Sequence, residues 1–402
     1  MMDSFYSKLL FSLLFIGLTL AGGAVYFQAA RGMGGAEKPT GPAAGSFKQR
    51  FIALGRETED RLAHTTPAGE AYYQLQLMMG KREFNNFALV KSLDGEFNYG
   101  SFYRPETARL RETAKFYQKL QDSVDVSGGR MIYYSPPVRP VRGASTYDQG
   151  MPHLNLNPLV DEFLNYLREY GVDFIDARYS LTRRPELPPE RVLYKTDPLW
   201  TSQAAFEAFV DLVNNLKGDR GLDLDPAGFY TDRRNYNFKT YPQLFLGGFG
   251  HRSSPLVTGL EDFTAIWPNF DNNYAVEIFD QQFGFMRQAG GADQTLYYER
   301  LLSPPALDSP GSGDSEAYRP YNYYLLGLHS MVTIKNTDHP ERPRVLLIHD
   351  SFGVQVGCLM APLCGELIMI DPLAGDYVPE LSKYIVDQEF DLVVVLLSMN
   401  AI

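Results

Sequence analysis

Apolar residues fall along the chain in three kinds of pattern. The first is a single long run: Leu9 to Ala30 (LLFSLLFIGLTLAGGAVYFQAA) carries no charge over 22 positions and is flanked by Lys8 and Arg31. A helix needs roughly 20 apolar residues to cross a bilayer, so this run suffices for an N-terminal anchor. A cleaved signal peptide is the competing reading, because small residues follow the apolar stretch. The second pattern is a set of short continuous runs: Met131–Tyr134, Val172–Ile175, Val345–Ile348, Leu367–Ile370 and Leu392–Leu397. Continuous rather than alternating apolarity predicts strands buried on both faces, hence a mainly parallel sheet. The third is helical. Leu156–Tyr170 is one such segment. Thr201–Leu216 is another, with Ala205, Phe209, Leu212 and Leu216 on one stripe, Thr201 as N-cap and Gly218 as C-cap. Alternation of strands and helices predicts a three-layer α/β sandwich, whose ligands bind at the carboxyl ends of the strands.

Between these segments the chain divides. Residues 1–30 are read as the anchor, and 31–46 (RGMGGAEKPTGPAAGS), rich in Gly, Pro and Ala, as a flexible tether. Residues 47–402 are read as one extracytoplasmic α/β domain. Within it Phe47–Lys81 is mostly helical in pattern, broken near Pro67, and is placed outside the main sheet. Ser303–Pro320 is read as a surface excursion.

Composition narrows the function. Lys plus Arg is 37 and Asp plus Glu 48, a net charge of −11, which argues against nucleic acid because that affinity comes mainly from phosphate neutralisation. The two cysteines make neither a disulfide scaffold nor a four-cysteine zinc site. No His/Cys/carboxylate cluster has metal spacing and no Walker or dinucleotide fingerprint occurs, so neither a metal nor a cofactor is expected.

The chemistry concentrates in two segments. In Arg344–Gly353 (RVLLIHDSFG) an apolar strand runs into His349-Asp350-Ser351 before a helical pattern. Ser351 is thereby placed at a strand's carboxyl end and a helix's amino end, where the Phe352 and Gly353 N–H groups are candidate oxyanion donors. The competing reading is that Asp350 or Ser351 caps the helix. The second segment is Tyr194–Ala205 (YKTDPLWTSQAA).

With that segment the chain resembles the DHHW-motif family, SGNH hydrolase-like proteins related to the periplasmic alginate O-acetylation proteins. Other stretches that look like the family are RMIYYSPP (130–137), GVDFIDA (171–177), FLGGFGHRS (245–253), FTAIWPNFDNNY (263–274) and 345–354. The resemblance implies an SGNH-like fold and a Ser-His-Asp triad for esterase or acetyltransferase chemistry on cell-surface polysaccharide. Ser351 matches the nucleophile, Asp197 the carboxylate that orients the base, and Trp200 the neighbouring tryptophan. The departure is Leu199, which stands where the family has histidine, with Pro198 before it. Leucine cannot take a proton, and loss of a triad base costs several orders of magnitude in rate.

Of the six histidines, His251 in the glycine-rich loop is the candidate substitute base, ahead of His349, two residues before Ser351. Gly247, Gly248 and Gly250 offer either a close-approach oxyanion or ligand loop, with Gly248 the chosen donor, or a tight turn. Arg252 beside them is an anion-binding or a solvated arginine. Cys358 and Cys364 are read as buried thiols. Three functions are therefore expected to compete: an impaired, glycan-binding SGNH-like protein; an active serine O-acetyl esterase or acetyltransferase with a relocated base; and a non-catalytic component of a cell-envelope acylation machinery beside a membrane acyltransferase.

Overall fold

The computed structural model describes residues 67–102, 107, 109–218, 221–280, 285–288, 295–297, 323–325, 327–374 and 380–399. The Leu9–Ala30 run, the 31–46 tether and Ser303–Pro320 lie outside the described residues. Among the described residues no helix is long and apolar enough to cross a membrane.

The chain enters through α1 (Pro67–Met78) and a three-stranded antiparallel sheet of β1 (Glu83–Phe84), β2 (Leu89–Lys91) and β3 (Phe97–Tyr99). Then come α2 (Leu110–Val126), β4 (Arg130–Ser135), α3 (Asn157–Glu169), β5 (Phe174–Asp176), the short α4 (Ala177–Ser180) and α5 (Ser202–Lys217). A hairpin of β6 (Tyr236–Phe245) and β7 (Glu261–Pro268) encloses two helical turns, α6 (Gly248–Arg252) and α7 (Pro255–Thr258). It is followed by β8 (Asn273–Asp280), β9 (Phe285–Gln288), β10 (Thr295–Tyr297) and β11 (Met331–Asn336). The chain closes with β12 (Arg344–His349), α8 (Gly353–Met360), β13 (Glu366–Ile370), α9 (Leu381–Gln388) and β14 (Leu392–Leu396).

The central sheet runs β10-β8-β11-β13-β12-β14-β4-β5, with β9 also on β8. Its five strands from β13 to β5 are mutually parallel. The antiparallel strands β11, β8, β9 and β10 extend one edge. Successive strand side chains point to opposite faces, so both faces of the parallel strands must be apolar. Val345, Leu347, Met369, Val394 and Leu396 pack on the side of α5 and α8. Leu346, Ile348, Ile368, Val393 and Val395 pack with Leu120 of α2, Phe163 of α3 and Ile385 of α9. Helices thus cover both faces of the sheet. Tyr73, Phe84, Leu89 and Phe97 form a third, separate cluster with Phe249 and Val257, so α1 packs away from the main sheet.

Local sequence accounts for the start of α5. Thr201 has extended backbone and its Oγ1 accepts the Ala204 N–H at 3.2 Å, the N-cap of α5. The four other strand runs appear within one or two residues of their sequence limits, but β5 begins only at Phe174: Val172 precedes it, and its N–H closes the end of α3 on Leu167 O at 2.9 Å.

Leu347 is fully buried at the centre of the sheet. Leu347→Ala is expected to lower stability by about 2–5 kcal/mol through lost burial and a residual cavity, read as a lower urea midpoint at unchanged m-value.

Candidate functional site

Because β12 and β14 are parallel neighbours, their carboxyl ends open on the same side of the sheet. There β12 passes through His349 into a turn that carries Ser351. The Gly353 N–H donates to Asp350 O at 2.9 Å, closing the turn with Ser351 and Phe352 at its centre. The buried Asp350 carboxylate braces it: Oδ1 accepts from Phe352 N at 3.0 Å and Oδ2 from Ser398 N, beyond β14, at 2.8 Å. Ser351 is half-buried at the head of α8. The two amides expected as oxyanion donors, those of Phe352 and Gly353, are therefore both engaged with Asp350.

Asp197 lies on the loop that leads into α5. Its Oδ1 accepts the Leu199 N–H at 2.9 Å and its Oδ2 the Gly248 N–H at 2.6 Å. Burial raises its carboxyl above the ordinary range, while those two N–H groups and Arg139 pull it back. The glycine-rich loop is laid directly on this segment. Gly247 N donates to Thr196 Oγ1 at 3.1 Å and Phe249 N to Thr196 O at 3.0 Å. A Cβ at Gly247 would fall 2.6 Å from Thr196 Oγ1, so the close approach requires glycine. Gly248 thus gives its N–H to Asp197. His251 follows three residues later on α6, and Gly250 is buried. Arg252 is exposed and its guanidinium bonds the Tyr99 hydroxyl.

The two sequence segments meet. Trp200, 1% exposed, sets its ring edge-on to Phe352 with centroids 5.1 Å apart. Gln355, on α8, donates through Nε2 to Ser202 Oγ at 3.3 Å, binding the first turn of α5 to the first turn of α8. Leu199 is partly buried and packs against the same core. The structure therefore brings the Ser351 turn, Trp200, the Asp197 loop and the α6 turn into one continuous assembly.

Several supporting residues were not singled out from the sequence. Arg139, buried after β4, pairs through Nη1 with the buried Glu96 Oε2 at 3.2 Å. Its Nη2 donates to Asp197 O at 2.8 Å and to Tyr194 O, and its guanidinium lies 5.6 Å from the Phe249 ring centroid. Glu96 also accepts the Ser145 hydroxyl. Glu261 of β7 takes the N–H groups of Lys195 and Thr196, each at 2.8 Å. A signal for Arg139 was present: a charge four residues beyond an apolar strand, after Pro136, Pro137 and Val138. Asp371 likewise follows the apolar run of β13.

His349 is buried, and its Nδ1 bonds Asp350 O at 2.7 Å. Burial lowers its imidazole, and the nearby Asp371 and Asp350 oppose that; burial raises the Asp371 carboxyl, opposed by His349. Cys358, on α8, and Cys364, beyond the break at Pro362, are free buried thiols held protonated by burial.

No protein-family model matches the sequence, and no curated protein matches it. Solved structures do. A DHHW family protein from Eubacterium siraeum superposes with a TM-score of 0.54 at 14% identity, over 78% of this chain and 96% of that one. Bacillus cereus PatB1, solved with a sulfonyl adduct, superposes with a TM-score of 0.56 at 14% identity, over 77% of this chain and 93% of that one. The chain shares its fold with these two proteins. At this identity the likeness is one of fold.

Arg139 is the cation on which the Asp197 loop rests. Arg139→Met is expected to cost about 3–5 kcal/mol in urea unfolding, because Glu96 is left buried without its counter-charge. Adding Glu96→Gln is expected to restore part of that loss.

Proposed function

We propose that the chain is a membrane-anchored, extracytoplasmic SGNH-like protein that binds acylated cell-surface polysaccharide and whose serine chemistry is impaired. The observation that carries this reading is the state of Asp197 beside Leu199. The carboxylate that would orient a catalytic imidazole accepts instead from two backbone amides, Leu199 N and Gly248 N. Leu199 stands at the sequence position where the DHHW motif has its histidine, and leucine takes no proton. A serine hydroxyl without a proton acceptor is a weak nucleophile, so the cleft keeps its recognition surface and loses most of its turnover. The DHHW-type fold supports the acyl-ester setting, and the uncharged Leu9–Ala30 run supports the anchor and the location outside the cytoplasm.

One observation favours a second reading, an active O-acetyl esterase or acetyltransferase. His251 rides on the helical turn whose first amide is held by Asp197. In that reading His251 takes the Ser351 proton and returns it to the leaving alcohol, while Ser351 carries the acyl group as an ester.

Labelling of the full chain by a serine-directed fluorophosphonate, with acetyl-ester hydrolysis alongside, separates the two. The impaired reading expects slow labelling at Ser351 and negligible hydrolysis in the native chain, with Leu199→His raising both by about a hundredfold or more. Efficient native hydrolysis lost in both Ser351→Ala and His251→Ala would replace it with the second reading. No gain from Leu199→His in a folded variant would refute the assignment of Asp197 and Ser351 to one site.

A further inference from the structure

The Ser351 turn contains a buried titratable group that the proposed chemistry leaves unused. His349 and Asp371 end two adjacent parallel strands: Ile348 pairs with Ile370, and each chain continues by one residue to the imidazole and the carboxyl. Val345 and Leu347, and likewise Leu367 and Met369, face the α5–α8 side. By strand alternation His349 and Asp371 face that side too, each only 2% exposed.

There the imidazole is built into the turn. The Asp350 carbonyl accepts twice, from Gly353 N at 2.9 Å and from His349 Nδ1 at 2.7 Å. A carbonyl oxygen only accepts, so Nδ1 carries the hydrogen and Nε2 the lone pair. The first turn of α8 is cut to fit the ring: a Cβ at Gly353 would stand 2.6 Å from His349 Cγ and 3.0 Å from Nδ1. Any other residue there would drive the imidazole off the carbonyl.

We infer that His349 is the positioning residue for Ser351: its Nδ1–H and the Gly353 N–H together pin the Asp350 carbonyl that closes the serine turn, with Asp371 at the end of the neighbouring strand on the same side of the sheet. This rests on Ser351 being the functional serine of the cleft. The groups acting on the ring are Asp371, at the end of β13, and Asp350, on its own turn. Tyr117 of α2 and Tyr133 of β4 feel Asp350 rather than the ring. Burial disfavours a charged imidazole, and the Asp371 carboxyl is the group that opposes it most among the neighbouring carboxyls. The folded ring thus stays neutral with Nε2 bare where a free imidazole, near pH 6.5, has begun to take up its proton. The sign follows: as pH falls through that value the unfolded chain gains a proton that the folded turn refuses, so this residue's contribution to stability is lost toward acid.

The test is read on the full chain in detergent micelles, with histidine labelled by nitrogen-15. The resonance lost in His349→Asn is expected to report Nδ1 protonated and Nε2 bare, and to stay so as pH is lowered through about 6.5. In Asp371→Asn it is expected to resist protonation to still lower pH. An Nε2–H tautomer, an ordinary titration near 6.5, or a shift upward in Asp371→Asn would each overturn the inference. Amide exchange of residues 350–353 provides the second readout. Asparagine can place an N–H where Nδ1–H stood, so His349→Asn is expected to keep slow exchange, and His349→Leu to speed it about tenfold. Equal exchange in the two variants would also overturn it. If His349→Leu does not fold, the tautomer in the native chain still decides. Failure of fluorophosphonate labelling bears on the function of Ser351 and leaves both of these readouts untouched.

Discussion

A guanidinium buried where water cannot reach it must find its partners within the protein, and the site is arranged around that demand. Arg139 pairs through Nη1 with Glu96, the residue before β3, and gives its Nη2 to the carbonyls of Tyr194 and Asp197, while its buried Nε makes no hydrogen bond. Its face is covered by Phe249. One cation thereby ties together four stretches of chain that share no secondary structure. Burying such a pair contributes little net stability; breaking it on one side is what is costly. The geometry of the Asp197 loop is therefore held by the penalty for disorder rather than by the strength of any single bond.

The same economy of polar groups runs through the rest of the cleft. Asp350, Asp197 and Glu261 each collect two or more backbone N–H groups from loops that would otherwise bury them unpaired. Carboxylates that a motif suggests are catalytic serve here to fasten loops together. In Asp197 the two roles compete for one side chain. With Leu199 beside it, the fastening role is the one the geometry displays.

The parallel half of the fold was readable from sequence because strands buried on both faces have no choice but continuous apolarity, as Leu346–Ile348 and Val393–Val395 show. The antiparallel edge was not. In β11 buried residues alternate with half-buried or exposed ones, and most of β6 is half-buried or exposed, so neither has the continuous apolar run of the parallel strands. At the site, Ser351 was legible because a hydroxyl between a strand and a helix has a characteristic setting. The destination of Asp197 Oδ2 was not: its partner, Gly248, lies 51 residues away and the bond exists only in the folded chain. Arg139 was missed for the same reason, since its partners Glu96, Tyr194 and Asp197 lie more than forty residues away.

The position of β14 has a consequence for how the molecule can be made. The last strand of the described chain is not at an edge; it is inserted between β12 and β4 and hydrogen-bonded to both. Until residues 392–396 have been synthesised, β4 and β12 have no strand to join them, and both present unpaired apolar edges. A chain made from its N-terminus therefore holds β4 and β12 unjoined until β14 follows, and pairing of strands so far apart in sequence makes for slow folding. The hydrogen bond that Ser398, two residues past β14, gives to the Ser351 turn likewise waits on that strand. Loss of a few residues near the end of this strand would abolish the cleft as surely as any change within it.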